Sequence, residues 1–113
     1  MNQGPNPAYD RDKLIELFGD DPRTLAEVER EFLATAREAA REIKETDDFT
    51  ALARAAHRLK GASGMIGALA LRQIAEAVER SAKAEDLPTV RRLRELFDHE
   101  VRRVAEQAGL AVE

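Results

Sequence analysis

A chain of 113 residues with no cysteine, 4% aromatic residues and a formal net charge of −4 already excludes several classes of protein. It has the length of one domain, it lacks the thiols for a disulfide framework, a thiolate metal site or a thiol nucleophile, and its 22 acidic against 18 basic residues are not the basic surplus of a nucleic-acid binder. Abundant Ala, Glu, Arg and Leu with few β-branched runs predict an all-α fold whose core rests on aliphatic side chains and a few phenylalanines.

Residues 1–9, rich in Gly, Pro and Asn, read as a flexible lead-in without the basic and apolar regions of a secretory signal. A short helix is expected from Asp10 to Phe18, with Leu14, Leu17 and Phe18 on one side and Gly19 as its stop. Asp21-Pro22 combines a capping side chain with a residue that needs no donor, so a second helix should begin there and run to Glu45. Its apolar positions Leu25, Val28, Phe32, Ala36, Ala39 and Ile43 step by three and four. Asp47 or Asp48 can cap a third helix that continues through His57 toward Ile66, where Gly67 suits the stop. A fourth helix is expected over Leu69–Ala84, with Leu71, Ile74, Val78 and Ser81 in one stripe. "AEDLPT" then breaks and recaps the chain. A fifth helix over Leu87–Gln107 carries Val90, Leu93, Phe97, Val101 and Val104 inward. Long stripes with short links predict an antiparallel four-helix bundle with a short additional N-terminal helix, occupying residues 10–113. No apolar run approaches the roughly 18 residues of a membrane span, so a soluble, cytoplasmic protein is expected.

The stretch "AAHRLKGASGMIGA" (Ala55–Ala68) breaks the pattern. It holds Gly61, Gly64 and Gly67, half of the chain's 6 glycines, although glycine inside a helix costs about 1 kcal/mol relative to alanine. At about 100° per residue, the apolar and small residues Phe49, Leu52, Ala55, Ala56, Leu59, Ala62, Ser63 and Ile66 centre about 150° away from His57. The imidazole should therefore face solvent, with Ala53, Lys60, Gly61 and Gly64 on its own side. If the helix instead ended at Lys60, "GASG" would be a loop, but the Leu59–Ser63–Ile66 spacing favours a continuous helix. A neutral imidazole is abundant near pH 7, and its Nε2 can attack a phosphoryl group while Lys60, three residues on, balances the charge. No GxxxxGK[ST] loop or kinase signature is present, so the phosphoryl group must arrive from one protein and leave to another.

"HRLKGASGMIGA" resembles the HxLKGxxxxxGA signature of histidine-containing phosphotransfer (HPt) domains, the carriers of His–Asp phosphorelays. The matching residues are His57, Leu59, Lys60, Gly61, Gly67 and Ala68. "LRQIAEAVE" is similar to the helix that follows in the family, including its acidic last residue, Glu79. Ala75 departs from the Cys or other apolar residue often found there, a difference of packing. The resemblance implies a five-helix domain over about residues 10–108 in which His57 is phosphorylated, Lys60 is its electrostatic partner and Gly61 gives clearance. Glu79 would bond Nδ1–H and leave Nε2 free, although a carboxylate there also favours the non-nucleophilic imidazolium. It further implies a weak, transient interface at Ala53, Lys60, Gly61 and Gly64 for response-regulator receiver domains and a hybrid histidine kinase. Any Mg2+ would sit in the receiver. The chain itself is then a monomeric carrier with no cofactor, no intrinsic metal, no kinase activity of its own and neither nucleic acid nor membrane as a partner.

Other features read as structural. His99 lies between acids in "FDHEV" and is expected to be exposed. "RRLRE" with Arg102 and Arg103 reads as a charged helix face. Met65 falls either on the docking surface or under the link between the third and fourth helices. Two alternatives carry different partners: the phosphorylatable domain of a chemotaxis-type kinase, whose donor is ATP through a kinase domain, and a helical adaptor without chemistry. The chain ends read as natural termini, which favours a stand-alone carrier.

Overall fold

The computed structural model describes residues 7–110. Among the described residues there are only helices and turns: α1 (Arg11–Phe18), α2 (Pro22–Glu45), α3 (Phe49–Met65), α4 (Leu69–Lys83), α5 (Leu87–Arg94) and α6 (Phe97–Ala108). Aspartates start four of them by accepting a backbone N–H that the first turn leaves free: Asp10 from Lys13, Asp21 from Thr24, Asp48 from Thr50 and Asp86 from Thr89. α4 starts at Ala68 with no side-chain cap.

α3 packs against α2 and α4, α4 packs against α5 and α6, and these two return to α2, while α1 lies on α2. The core is aliphatic. Leu25, Leu33 and Ile43 of α2 meet Leu52 and Leu59 of α3, Leu71 and Val78 of α4, and Val90 and Phe97 beyond, all at most 1% exposed. Alanines at 36, 39, 55, 56 and 75 are as deeply buried and let the helix backbones approach. Among the described residues no helix is long and apolar enough to cross a membrane.

Four details depart from the sequence reading. In α1 only Leu14 is buried; Leu17 and Phe18 are 54% and 39% exposed, because the helix presents Leu14, with Ile15 partly buried beside it, to the core. In α4 it is Ala82, not Ser81, that is buried at the end of the stripe. The expected fifth helix is two segments, separated by Glu95 and Leu96. Both residues keep right-handed φ/ψ, and the Leu96 N–H bonds the Leu93 carbonyl at 3.0 Å, a local tightening with no Gly or Pro to announce it. It falls between Arg94, which reaches the Ile43 and Thr46 carbonyls at 3.1 and 3.0 Å, and the fully buried Phe97.

The fourth departure concerns the lead-in, of which residues 1–6 lie outside the described residues. Ala8 and Tyr9 are not loose: they are 5% and 1% exposed. The Gln107 side chain accepts from the Ala8 N–H at 2.7 Å and donates to the Tyr9 carbonyl at 3.0 Å. The Asp10 N–H bonds the Ile66 carbonyl at 2.9 Å. Tyr9, just before the cap of α1, and Leu14 in its first turn are both buried, the arrangement of a hydrophobic staple. This segment ties α1, the α3–α4 turn and α6 together at one end of the molecule.

Candidate functional site

α3 runs unbroken through Gly61 and Gly64 to Met65, so "GASG" is helix and not loop. Its end is set by Gly67, at φ +69°. There the Gly67 N–H bonds the Gly64 carbonyl at 3.3 Å and the Ala68 N–H bonds the Ser63 carbonyl at 2.8 Å, the paired bonds of a Schellman stop. A Cβ at Gly67 would stand 2.6 Å from the Asp10 Cβ. Gly67 therefore serves the backbone and the packing of the N-terminal segment, at a distance from any chemistry.

His57 sits two turns from the C-terminal end of α3, its side chain 69% exposed. Nδ1 lies 3.0 Å from Oε2 of Glu79 on α4. A carboxylate can only accept, so Nδ1 carries the hydrogen, and in the neutral ring Nε2 holds the lone pair. Nε2 has no hydrogen-bond partner among the described residues. Next to the ring, a Cβ on Gly61 would meet nothing within 4 Å, and Ala53 is half-buried. The open patch does not continue past Gly64, where the Arg72 side chain lies 3.4 Å from an added Cβ and Lys13 Nζ donates to the carbonyl at 2.8 Å. Met65 is 51% exposed and so does not tuck under the link.

The Glu79 side chain is only 9% exposed, yet it is an anion with three partners. Lys60 Nζ lies 2.9 Å from Oε1, and Lys83 Nζ lies 3.3 Å from Oε2, the oxygen that His57 also uses. The hydrogen bond from Lys60 is the largest influence drawing the Glu79 carboxyl down from 4.5 to about 2; those from Lys83 and His57 add to it, and burial opposes them. Two ammonium groups thus offset the carboxylate, and the ring does not face a lone anion.

The structure brings His57, Lys60 and Glu79 together as the sequence suggested, but it adds Lys83, which the sequence reading passed over. The signal was present: Glu79 and Lys83 are an acid and a base four residues apart on one helix. Lys60 also points elsewhere than expected, since its ammonium is engaged with Glu79 rather than standing free beside Nε2.

A family model for the Hpt domain matches residues 15–107, a span that holds every group of this cluster. The chain belongs to the Hpt family. Comparison with curated proteins and with solved structures found no match. Hpt domains are phosphotransfer carriers of His–Asp phosphorelays and interact there with receiver domains.

Beyond this cluster the Hpt domain pairs several of its surface charges. His99 is exposed, 4.0 Å from Glu100. The Arg91–Arg94 run is not only a solvated face: Arg91 pairs with Asp47 at 2.9 Å, and Arg94, 14% exposed, caps the carbonyls at the end of α2. Among the described residues no three His, Asp or Glu side chains gather in a way that could hold a metal ion.

Proposed function

We propose that this Hpt domain accepts a phosphoryl group on His57 Nε2 from the phosphorylated aspartate of one receiver domain and passes it to the aspartate of another. The observation that carries the reading is the exposed imidazole whose Nδ1–H is held by Glu79, leaving Nε2 as the outward nucleophile. In the forward step the Nε2 lone pair forms the N–P bond. The P–O bond to the donor aspartate breaks, and its electron pair leaves with the carboxylate. Nδ1 keeps its hydrogen throughout, so the phosphorylated ring becomes cationic, and the Glu79 carboxylate stabilises that charge. The cationic ring is also the better leaving group for the return step, so the same contact serves both directions.

In this reading Ala53, Lys60, Gly61 and Gly64 belong to the docking face; Ala53 and Gly61 let a receiver surface approach the ring, and the Arg72 side chain borders the face at Gly64. The unit is an antiparallel four-helix bundle with a short added α1, assigned to residues 10–113, of which 111–113 lie outside the described residues, with Ala8 and Tyr9 packed onto it. It acts as a cytoplasmic monomer and carries phosphohistidine without kinase activity of its own. The test is incubation with phosphorylated receiver domains. Acid-labile phosphate should appear on the chain and should be lost in His57→Gln. Normal labelling of that variant would overturn the assignment.

A further inference from the structure

The two lysines around Glu79 are not equivalent. Lys60 Nζ bonds Oε1 at 2.9 Å from a side chain only 27% exposed. Lys83 Nζ makes the longer contact, 3.3 Å, from a side chain 67% exposed, and shares Oε2 with the His57 ring. One ammonium is enough to neutralise one carboxylate, so with a neutral imidazole the cluster carries one surplus positive charge. That charge belongs to the ammonium that can leave with least loss. Lys60 is the shorter and less exposed contact and the leading influence on the Glu79 carboxyl; Lys83 is the looser one. Lys83 is also one carboxylate oxygen away from the ring that would receive the phosphoryl group.

We infer that Lys83 is the cation that turns from Glu79 to the phosphoryl oxygens on His57, while Lys60 stays on Glu79 as a positioning residue that fixes the ring's tautomer. This rests on the carrier reading and divides its electrostatics differently from the sequence expectation, which assigned the phosphoryl-facing charge to Lys60. A phosphohistidine brings nearly two negative charges and several strong acceptor oxygens. Moving Lys83 onto them exchanges one ion pair for another without uncovering Glu79, because Lys60 and the Nδ1–H remain on it. Moving Lys60 would instead release the strongest hold on a carboxylate that is almost out of water, which is the costlier exchange.

Phosphoramidate tests this without a receiver domain. Its P–N bond breaks as the bond to Nε2 forms, and the leaving amine already carries the proton with which it departs as ammonia. Lys83→Met is expected to take up phosphate about fivefold more slowly than wild type at low salt, the scale of one exposed ion pair. The deficit should shrink at high salt and be restored by Lys83→Arg. Its ring 15N signals should keep the Nδ1–H form. Lys60→Met should instead shift those ring signals toward a mixture of tautomers. On phosphorylation of wild type, the Lys83 ammonium resonance should move and that of Lys60 should not. Wild-type uptake by Lys83→Met, or a salt-dependent deficit confined to Lys60→Met with its ring signals unchanged, would overturn the division. If wild type takes up no phosphate on His57, the carrier reading itself fails and the division falls with it.

Discussion

Among the described residues two carboxylates are buried, Glu29 on α2 and Glu79 on α4, and they do opposite things. Glu29 accepts from the Tyr9 hydroxyl, with Arg11 at 3.5 Å from the same oxygen. Burial, and then the Glu29 carboxylate, hold the Tyr9 phenol above its ordinary range. The tyrosine therefore stays neutral and has one polar atom, already used. Glu79 accepts from an imidazole, whose second nitrogen faces outward. Their burial is alike, so what separates a latch from a site is whether the partner has a second functional atom in solvent.

The largest effect should come from breaking the latch. Glu29→Ala strands the hydroxyl of Tyr9, a residue 1% exposed, and frees the segment that joins α1 to α6. Loss of one member of a buried polar pair costs about 3 kcal/mol, read as a lower midpoint in a denaturant titration. Phosphate uptake per folded molecule should stay at the wild-type rate. A variant equally stable, or one folded but slow to phosphorylate, would show that the two carboxylates are not separate in function.

Glu79 should reveal itself through acid instead. Its folded carboxyl titrates near 2 against an ordinary 4.5, so between those values the unfolded chain binds more protons than the folded one. The stabilisation is therefore complete above about 4.5 and is lost as pH falls toward 2. Glu79→Gln lacks this titration. Near neutral pH it should be about 2 kcal/mol less stable than wild type, and the gap should close as pH falls through that window. A gap that stays constant down to pH 2 would mean the carboxylate's charge is not what the lysines hold. Stability at each pH can be read from urea titrations of the two proteins side by side.

Much of this was legible because the determinants were local. The aspartate caps at 10, 21, 48 and 86 sit where the sequence marks helix starts, and the helical angle of His57 follows from the spacing of Leu52, Ala56 and Leu59. What escaped was set across the fold. Tyr9 is the chain's single tyrosine in a polar, proline-containing context, and its place in the core comes from distant partners, Glu29 20 residues away on its hydroxyl and Gln107 on its carbonyl. Gln107 holds the backbone of Ala8 from 99 residues away. The division between α5 and α6 falls beside Arg94, whose contacts with carbonyls at the end of α2 no periodicity within the helix encodes. The Lys60 contact with Glu79 needed the register of α3 on α4, whereas the Lys83 contact lies within α4. The pair spacing of Glu79 and Lys83 hinted at the latter.

The smallest effect concerns the glycines, and it separates stability from function most cleanly. Gly67 has a left-handed φ and Asp10 against it, so folding alone accounts for it. Gly61 has neither: it is mid-helix, and an added Cβ would meet nothing within 4 Å. By helix propensity Gly61→Ala should raise stability by about 1 kcal/mol, seen as a small increase in melting temperature. A methyl group one turn from His57 should leave uptake from phosphoramidate, a small donor, unchanged. It should slow transfer from a phosphorylated receiver, because the approaching surface must then clear the new side chain. If receiver-driven transfer were also unchanged, clearance would not explain a residue that the helix itself disfavours. Slower uptake from both donors would instead mean that the methyl group disturbs the ring or its hold on Glu79. Only the split between the two donors assigns Gly61 to the docking surface.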